Sequence, residues 1–153
     1  MTVLGLDLGT KCGWAVLNDD GTRVESGVWH CKKGKQPGLR FATFATRLRW
    51  ALLNYRPTSI GYEQVHRHTG TQAAHVYGGL LGVLLLELHD GPYCIDGWNV
   101  GTIKKTATGK GNASKPMMVR AAVQRWGHVK DDNEADALWV ALLTLGVSDA
   151  TKT

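Results

Sequence analysis

The stretch Val3–Leu4–Gly5–Leu6–Asp7–Leu8–Gly9–Thr10 sets a carboxylate inside what reads as a buried β-strand. Val3, Leu4 and Leu6 are strand-forming apolar residues, and Gly9–Thr10 turns the chain away. A carboxylate on a core strand is costly unless something neutralises it. A metal ion, or a donor belonging to a bound phosphate, would do so. Gly9 lets the backbone bend tightly or approach a ligand. The alternative is an Asp that caps the turn after an edge strand. Later carboxylates favour the ligand reading, because Glu63 and the acidic group at 132–136 also stand at the ends of expected elements.

With 153 residues, 43% of them hydrophobic, the chain suits one compact domain over residues 1–148, followed by a short tail at 149–153. The apolar run at 80–88 is too short to span a bilayer, and the N-terminus lacks a signal-peptide pattern. Cys12, Cys31 and Cys94 match neither a zinc pattern nor a disulfide framework, so reduced thiols and a cytoplasmic location are expected. The net charge is +5, and its distribution says more than its total. Residues 101–130 hold seven Lys or Arg and no acid, whereas four acids crowd into 131–136. Basic residues also dominate from Arg23 to Arg67. Basic tracts around a compact acidic set suggest a polyanion drawn to a metal site; a basic solvated surface is the simpler alternative.

Cys12 to Leu17 reads as a second strand, Asp19–Asp20–Gly21 as a hairpin turn, and Thr22 to Trp29 as a third strand. Three strands joined by short turns make an antiparallel meander. Leu39, Phe41, Phe44, Leu48 and Leu52 recur at helical spacing, which predicts a helix from Leu39 to Tyr55. Ser59 to Glu63 follows as a strand that should return beside the first, bringing Glu63 near Asp7. Thr71 to His89 is the strongest helix pattern. Ala74, Gly78 and Gly82 form a smooth stripe on it, suited to close packing on the domain's own sheet or to a self-paired dimer face. Pro92 to Asp96 predicts a fifth strand, Val100 to Lys105 a brief helix, and Thr106 to Ser114 a loop. A helix from Pro116 to Trp126, capped by Ser114, and a last helix from Asn133 to Leu145 complete the chain.

Asp136 falls in the first turn of that last helix, with Asp132 and Asn133 one turn before it. Asp7, Glu63, Asp132 and Asp136 could together hold hard divalent ions such as Mg²⁺. Two such ions can activate water and stabilise the leaving oxygen in phosphodiester hydrolysis. Acids at a helix start are also ordinary partners of the macrodipole, an equal alternative for Asp132 and Glu134.

At this point the chain resembles the RuvC family of Holliday-junction resolvases, within the RNase H-like superfamily. The matching stretches are Leu6–Asp7–Leu8–Gly9–Thr10 with Gly13–Trp14–Ala15, Tyr62–Glu63–Gln64–Val65, Gly79–Leu80–Leu81–Gly82–Val83, Ile103–Lys104 with Gly109 to Lys115, and Glu134–Ala135–Asp136–Ala137–Leu138. Each is weak alone; five in the family's order, across nearly the whole chain, are specific together. The chain looks most like the compact members carried by phages.

The resemblance implies an α/β, RNase H-like fold. Its central mixed five-stranded sheet would hold a three-stranded antiparallel meander plus two parallel strands, flanked by helices. It also implies a homodimer, for which the Ala74/Gly78/Gly82 stripe read above offers a face, that cuts four-way DNA junctions symmetrically using two Mg²⁺ or Mn²⁺ ions per site. By position, Asp7, Glu63 and Asp136 match the family's metal carboxylates. Many members carry Asp or His where this chain has Asn133, so Asp132 is the expected fourth ligand, with the Asn133 amide oxygen as the alternative. Lys115 matches a lysine near the scissile phosphate, and Lys104 a second phosphate contact; Lys105 and Lys110 extend that basic tract. Where the family often has an aromatic wedge, this chain has His66, with Arg67 and His68 beside it.

Three other readings stand against this one. Sugar-kinase and actin-like ATPases share an Asp-Leu-Gly-Thr start, but they need two such domains, and Gly109–Lys110–Gly111 lacks P-loop spacing. A RuvC-like nuclease acting on forks or flaps, and a non-catalytic junction-binding protein, are the nearer alternatives.

Overall fold

The computed structural model describes the backbone of residues 1–150 and the side chains of residues 1–146. Strands β1 (Thr2–Asp7), β2 (Lys11–Asn18) and β3 (Arg23–His30) form the expected antiparallel meander. The β2–β3 reversal falls at the Asp-Gly pair. Gly21 takes φ +84, and Asp20 Oδ1 accepts from the Thr22 backbone N–H at 2.9 Å and from its hydroxyl at 2.6 Å. Helix α1 (Leu39–Tyr55) ends on Arg56, whose N–H donates to the Leu52 carbonyl just before Pro57. β4 (Ser59–Gln64) then returns parallel to β1, as expected, with Leu6 beside Tyr62. Helix α2 (Thr71–Leu88) crosses back, and β5 (Cys94–Asn99) lies parallel to β4. The sheet order is β3-β2-β1-β4-β5.

Helices α3 (Val100–Thr108), α4 (Lys115–Trp126) and α5 (Asp132–Ala150) follow. Several boundaries differ from expectation for local reasons. The fifth strand begins and ends later than the predicted Pro92 to Asp96, because its register with β4 runs on to Gln64 opposite Asn99. The brief helix predicted to end at Lys105 runs to Thr108. Gly109, at φ +82, caps it by donating to the Lys105 carbonyl. The last helix starts at Asp132 and continues past Leu145 to Ala150, so Asp149 and Ala150 belong to it; residues 151–153 lie outside the described residues. Its earlier start puts Asp136 in the second turn rather than the first.

The two faces of the sheet carry separate cores. Leu4, Leu6, Trp14, Val16 and Tyr62 pack against α1 and α2 through Phe44, Leu48, Leu80 and Leu84. Val3, Ala15 and Leu17 pack against α3, α4 and α5 through Ile103, Met118, Leu138 and Trp139. Strand alternation therefore aims Asp7, two residues on from Gly5, and Glu63, two on from Gly61, toward the α5 face.

Candidate active site

Three glycines decide how close α5 comes to that face. A Cβ on Gly5 would lie 2.3 Å from the Ala137 carbonyl oxygen, one on Gly13 1.9 Å from that of Asn133, and one on Gly61 1.9 Å from Thr144 Oγ1. The helix thus rests on bare backbone of β1, β2 and β4. This close approach presses the start of α5 against the ends of β1 and β4, where Asp7 and Glu63 stand. One oxygen each of Asp7, Glu63 and Asp136 lies within 4.8 Å of the others.

The start of α5 is held independently of any ligand. Asp131 Oδ1 caps the helix by accepting from the Glu134 backbone N–H at 3.0 Å, and Glu134 Oε2 reaches back to accept from the Lys130 N–H at 2.5 Å. Glu134 is buried and also accepts from the Ser26 hydroxyl at 2.7 Å. Its role is thus structural, the alternative reading of that acid. Asp132 lies outside the close triad and pairs with Lys115 at 3.6 Å. The Asn133 amide nitrogen donates to Asp131 Oδ2 at 3.3 Å, so its carbonyl oxygen is the amide atom not used in that bond.

The electrostatics are those of a buried anionic cluster only partly offset by Lys104 and Lys115. Burial, then repulsion from Asp136, Glu63, Asp132 and Asp131, lifts the Asp7 carboxyl well above the carboxylate range. Burial raises Glu63 as well, opposed by Lys104. Asp136 is pushed up to about 7, first by burial and then by Glu63 and Asp132, with Lys104 and Lys115 pulling the other way. A cation among these carboxyls would favour their ionised forms, and the three converging oxygens could hold a metal ion.

Of the expected nucleic-acid contacts, half-buried Lys104 and exposed Lys115 act on the triad. Lys105 and Lys110 are exposed and are not among the charges that shift the carboxyls. His66 and Arg67 are exposed on the loop after β4, while half-buried His68 has its ring 5.1 Å from that of Tyr77. Tyr77 was not anticipated. Its hydroxyl donates to the Glu63 carbonyl at 2.8 Å and accepts from the Val65 N–H at 3.2 Å, so α2 fixes the backbone that carries Glu63. Nothing in the sequence signals that contact, which spans fourteen residues. Asp131 was also missed, although the Asp-x-x-Glu spacing was there to be read.

The Ala74/Gly78/Gly82 stripe does not pack on the chain's own sheet at its glycines. Gly78 and Gly82 are exposed and open to space, whereas neighbouring Gly79 meets the Phe41 ring and seats α2 on α1. Among the described residues no helix is long and apolar enough to cross a membrane, and Cys12, Cys31 and Cys94 are free thiols.

Comparison with known proteins places this site in a family. The family model described as "Crossover junction endodeoxyribonuclease RuvC" matches residues 3–144. The protein of that name from Anaeromyxobacter sp. (strain Fw109-5) is 30% identical over 95% of this chain and 73% of its own length. The one from Brachyspira hyodysenteriae is 26% identical over 93% and 92%. In fold, T. thermophilus RuvC in complex with Holliday junction substrate aligns with a TM-score of 0.85 at 20% identity, covering 99% of this chain and 96% of that one. The Fowlpox virus resolvase, solved with junction DNA, aligns at 0.64 and 12% identity, covering 95% and 99%. With its triad where the mixed sheet meets the last helix, and with the family model covering nearly its full length, this chain belongs to the RuvC family of crossover junction endodeoxyribonucleases.

Proposed function

We propose that the chain is a structure-selective DNA endonuclease that resolves four-way (Holliday) junctions by metal-dependent phosphodiester hydrolysis. The observation that carries this is the convergence of Asp7, Glu63 and Asp136 under the influence of Lys104 and Lys115, in a member of this family. Asp7, Glu63 and Asp136 would hold two Mg²⁺ or Mn²⁺ ions, with Asp132 or the Asn133 amide oxygen completing the set. Bound there, such ions would activate a water and offset charge on the leaving oxygen.

The protein's own groups do the rest. Tyr77 and the Asp131–Glu134 cap hold the ligand-bearing backbone rigid, so no reorganisation is needed as charge develops. The Lys115 ammonium leans on Asp132 and is free to turn to a phosphate oxygen; Lys104 faces the triad from α3. Lys105, Lys110, His66, Arg67 and His68 extend the DNA track on either side. The exposed Gly78, Gly82, Leu85 and Leu86 on α2 form the face through which two copies pair. Cutting both strands of a two-fold symmetric junction requires two sites related by such an axis. Residues 1–148 act as one catalytic domain in the cytoplasm, where the thiols stay reduced.

The test is a nicking assay on a mobile four-way junction, a Y-fork and linear duplex, with Mg²⁺, Mn²⁺ or EDTA. Paired symmetric nicks on the junction, abolished by EDTA and by Asp7→Asn while junction binding persists, are expected. Equal cutting of forks or flaps would make the protein a general branch nuclease. Binding without cutting under every metal would leave a junction-binding protein.

A further inference from the structure

On the opposite face of the sheet, but at the same end as the carboxylates, a cleft of about 560 Å³ opens between the β3–α1 loop and α2. It begins at the metal site's own backbone. Leu8, Gly9 and Thr10, which follow Asp7, and Val65, two residues after Glu63, form its inner wall. Val76 and Tyr77 of α2 make an apolar and aromatic floor, and Lys33 and Arg40 stand at the rim. A second cavity of about 330 Å³ continues outward past Lys33, Arg40 and Gln72 to Lys35 and His75. No carboxylate lines either cavity.

Lys33 and Arg40 have no ion-pair partner among the described residues. Nor is the Lys33 loop a loose arm. The Cys31 N–H donates to the Thr10 carbonyl at 2.7 Å, the Leu39 N–H to Gln36 at 3.1 Å, and Gly34 lies so close on Leu39 that a Cβ there would be 2.2 Å from its Cδ2. Two cations without ion-pair partners therefore stand at the rim of a largely apolar cleft whose inner wall is the backbone that follows Asp7 and Glu63. Basic rim and flat apolar floor together match a nucleotide, whose phosphate is anionic and whose base has two apolar faces.

We propose that this cleft seats one unpaired nucleotide of the substrate strand next to the cut, its phosphate between Lys33 and Arg40 and its base against Val65, Val76 and Tyr77. The proposal rests on the reading of the substrate as branched DNA. It makes the α1–α2 layer a second arm of the DNA path, opposite the Lys104–Lys115 side. Opening of base pairs at the branch point supplies the unpaired nucleotide without further cost at that site.

The test measures junction binding in EDTA by the full chain across a salt series. Lys33→Gln/Arg40→Gln should weaken binding about tenfold at 0.1 M salt and flatten the log–log salt slope by about 1.4, as expected for two lost single-strand phosphate contacts. Arg125→Gln, at the opposite end of the sheet beside Gly21, should change neither. Abasic substitution, one position at a time beside the cut, should reveal one nucleotide whose base loss weakens wild-type binding about fivefold. That penalty should shrink in the double variant, because the two losses act on one seated nucleotide. Wild-type affinity and slope in the double variant, with melting unchanged, would overturn the cleft assignment and leave the resolvase reading intact. A full abasic penalty in the double variant would place the base elsewhere. Wild-type protein that neither binds nor cuts a junction would sink the underlying reading along with the cleft.

Discussion

The two faces of the sheet solve the same packing problem with opposite means. Toward α1 and α2 the central strands present large side chains, Leu4, Leu6, Trp14, Val16 and Tyr62, and the helices stand off by the thickness of a side-chain layer. Toward α5 the same strands present Gly5, Gly13 and Gly61, and the helix lies on backbone. Both faces bury a core, but only the glycine-bearing one also sets a short distance between helix and sheet. Only the second can hold three carboxylates from three elements within 4.8 Å. The candidate catalytic centre thus stands where three glycines let α5 rest on the strands' backbone, beside a core of its own built from Val3, Leu17, Leu138 and Trp139.

Breaking the small-residue face should have the largest effect. In Gly5→Val the added carbons meet the Ala137 carbonyl and the Ala141 nitrogen, backbone atoms that cannot rotate away. A loss of about 3 kcal/mol or more is expected, with α5 displaced and cleavage gone, read by denaturant unfolding and the nicking assay. A variant of wild-type stability would show that α5 does not need this approach. On the large-residue face, Phe44→Ala leaves a cavity in a fully buried site and should cost about 3–4 kcal/mol. Any protein that remains folded should keep its metal affinity, since no ligand stands on that face; altered metal binding would couple the two layers.

The charge cluster gives an effect of the opposite sign. With Asp136 raised to about 7, the folded chain holds a proton that the unfolded chain has released, from the ordinary carboxylate range up to that pH. The Asp136 contribution to stability in EDTA therefore falls as pH rises through this window. Asp136→Asn removes the penalty, so at pH 8 in EDTA it should be more stable than wild type by on the order of 1–2 kcal/mol, while losing cleavage. Saturating Mg²⁺ should narrow the gap by stabilising only the wild type. A less stable variant at pH 8 would mean that the ionised carboxylate is already compensated.

The smallest effect belongs outside both faces. Arg49 and Glu87 make a two-point contact at 2.6 and 2.9 Å between α1 and α2, with the Arg side chain 61% exposed. Arg49→Ala should cost no more than about 0.5–1 kcal/mol, and salt should erase much of that difference. A larger loss would make this pair a true clamp on the α1–α2 layer.

Much of this was legible along the chain. Asp7 and Glu63 were conspicuous because a carboxylate on an apolar strand is costly, whereas Asp136 stood in an acidic group with Asp132 and was singled out by the family resemblance. The meander and both long helices followed from turn chemistry and periodicity, which are local. Boundaries at Thr108 and Asn99 were not legible, because a glycine cap and a neighbouring strand's length decided them. The glycines at 5, 13 and 61 read only as permissive residues, since what they admit is contributed by a helix more than seventy residues away. The preference between Asp132 and Asn133 likewise rested on charge alone, while the structure ties Asp132 to Lys115 and Asn133 to Asp131. The sequence by itself determined which groups could do the chemistry, because ionisable side chains on apolar elements are a property of the chain. Which of them meet, and at what distance, was decided only by the tertiary structure, because close approach depends on the residues missing from both partners at the point of contact.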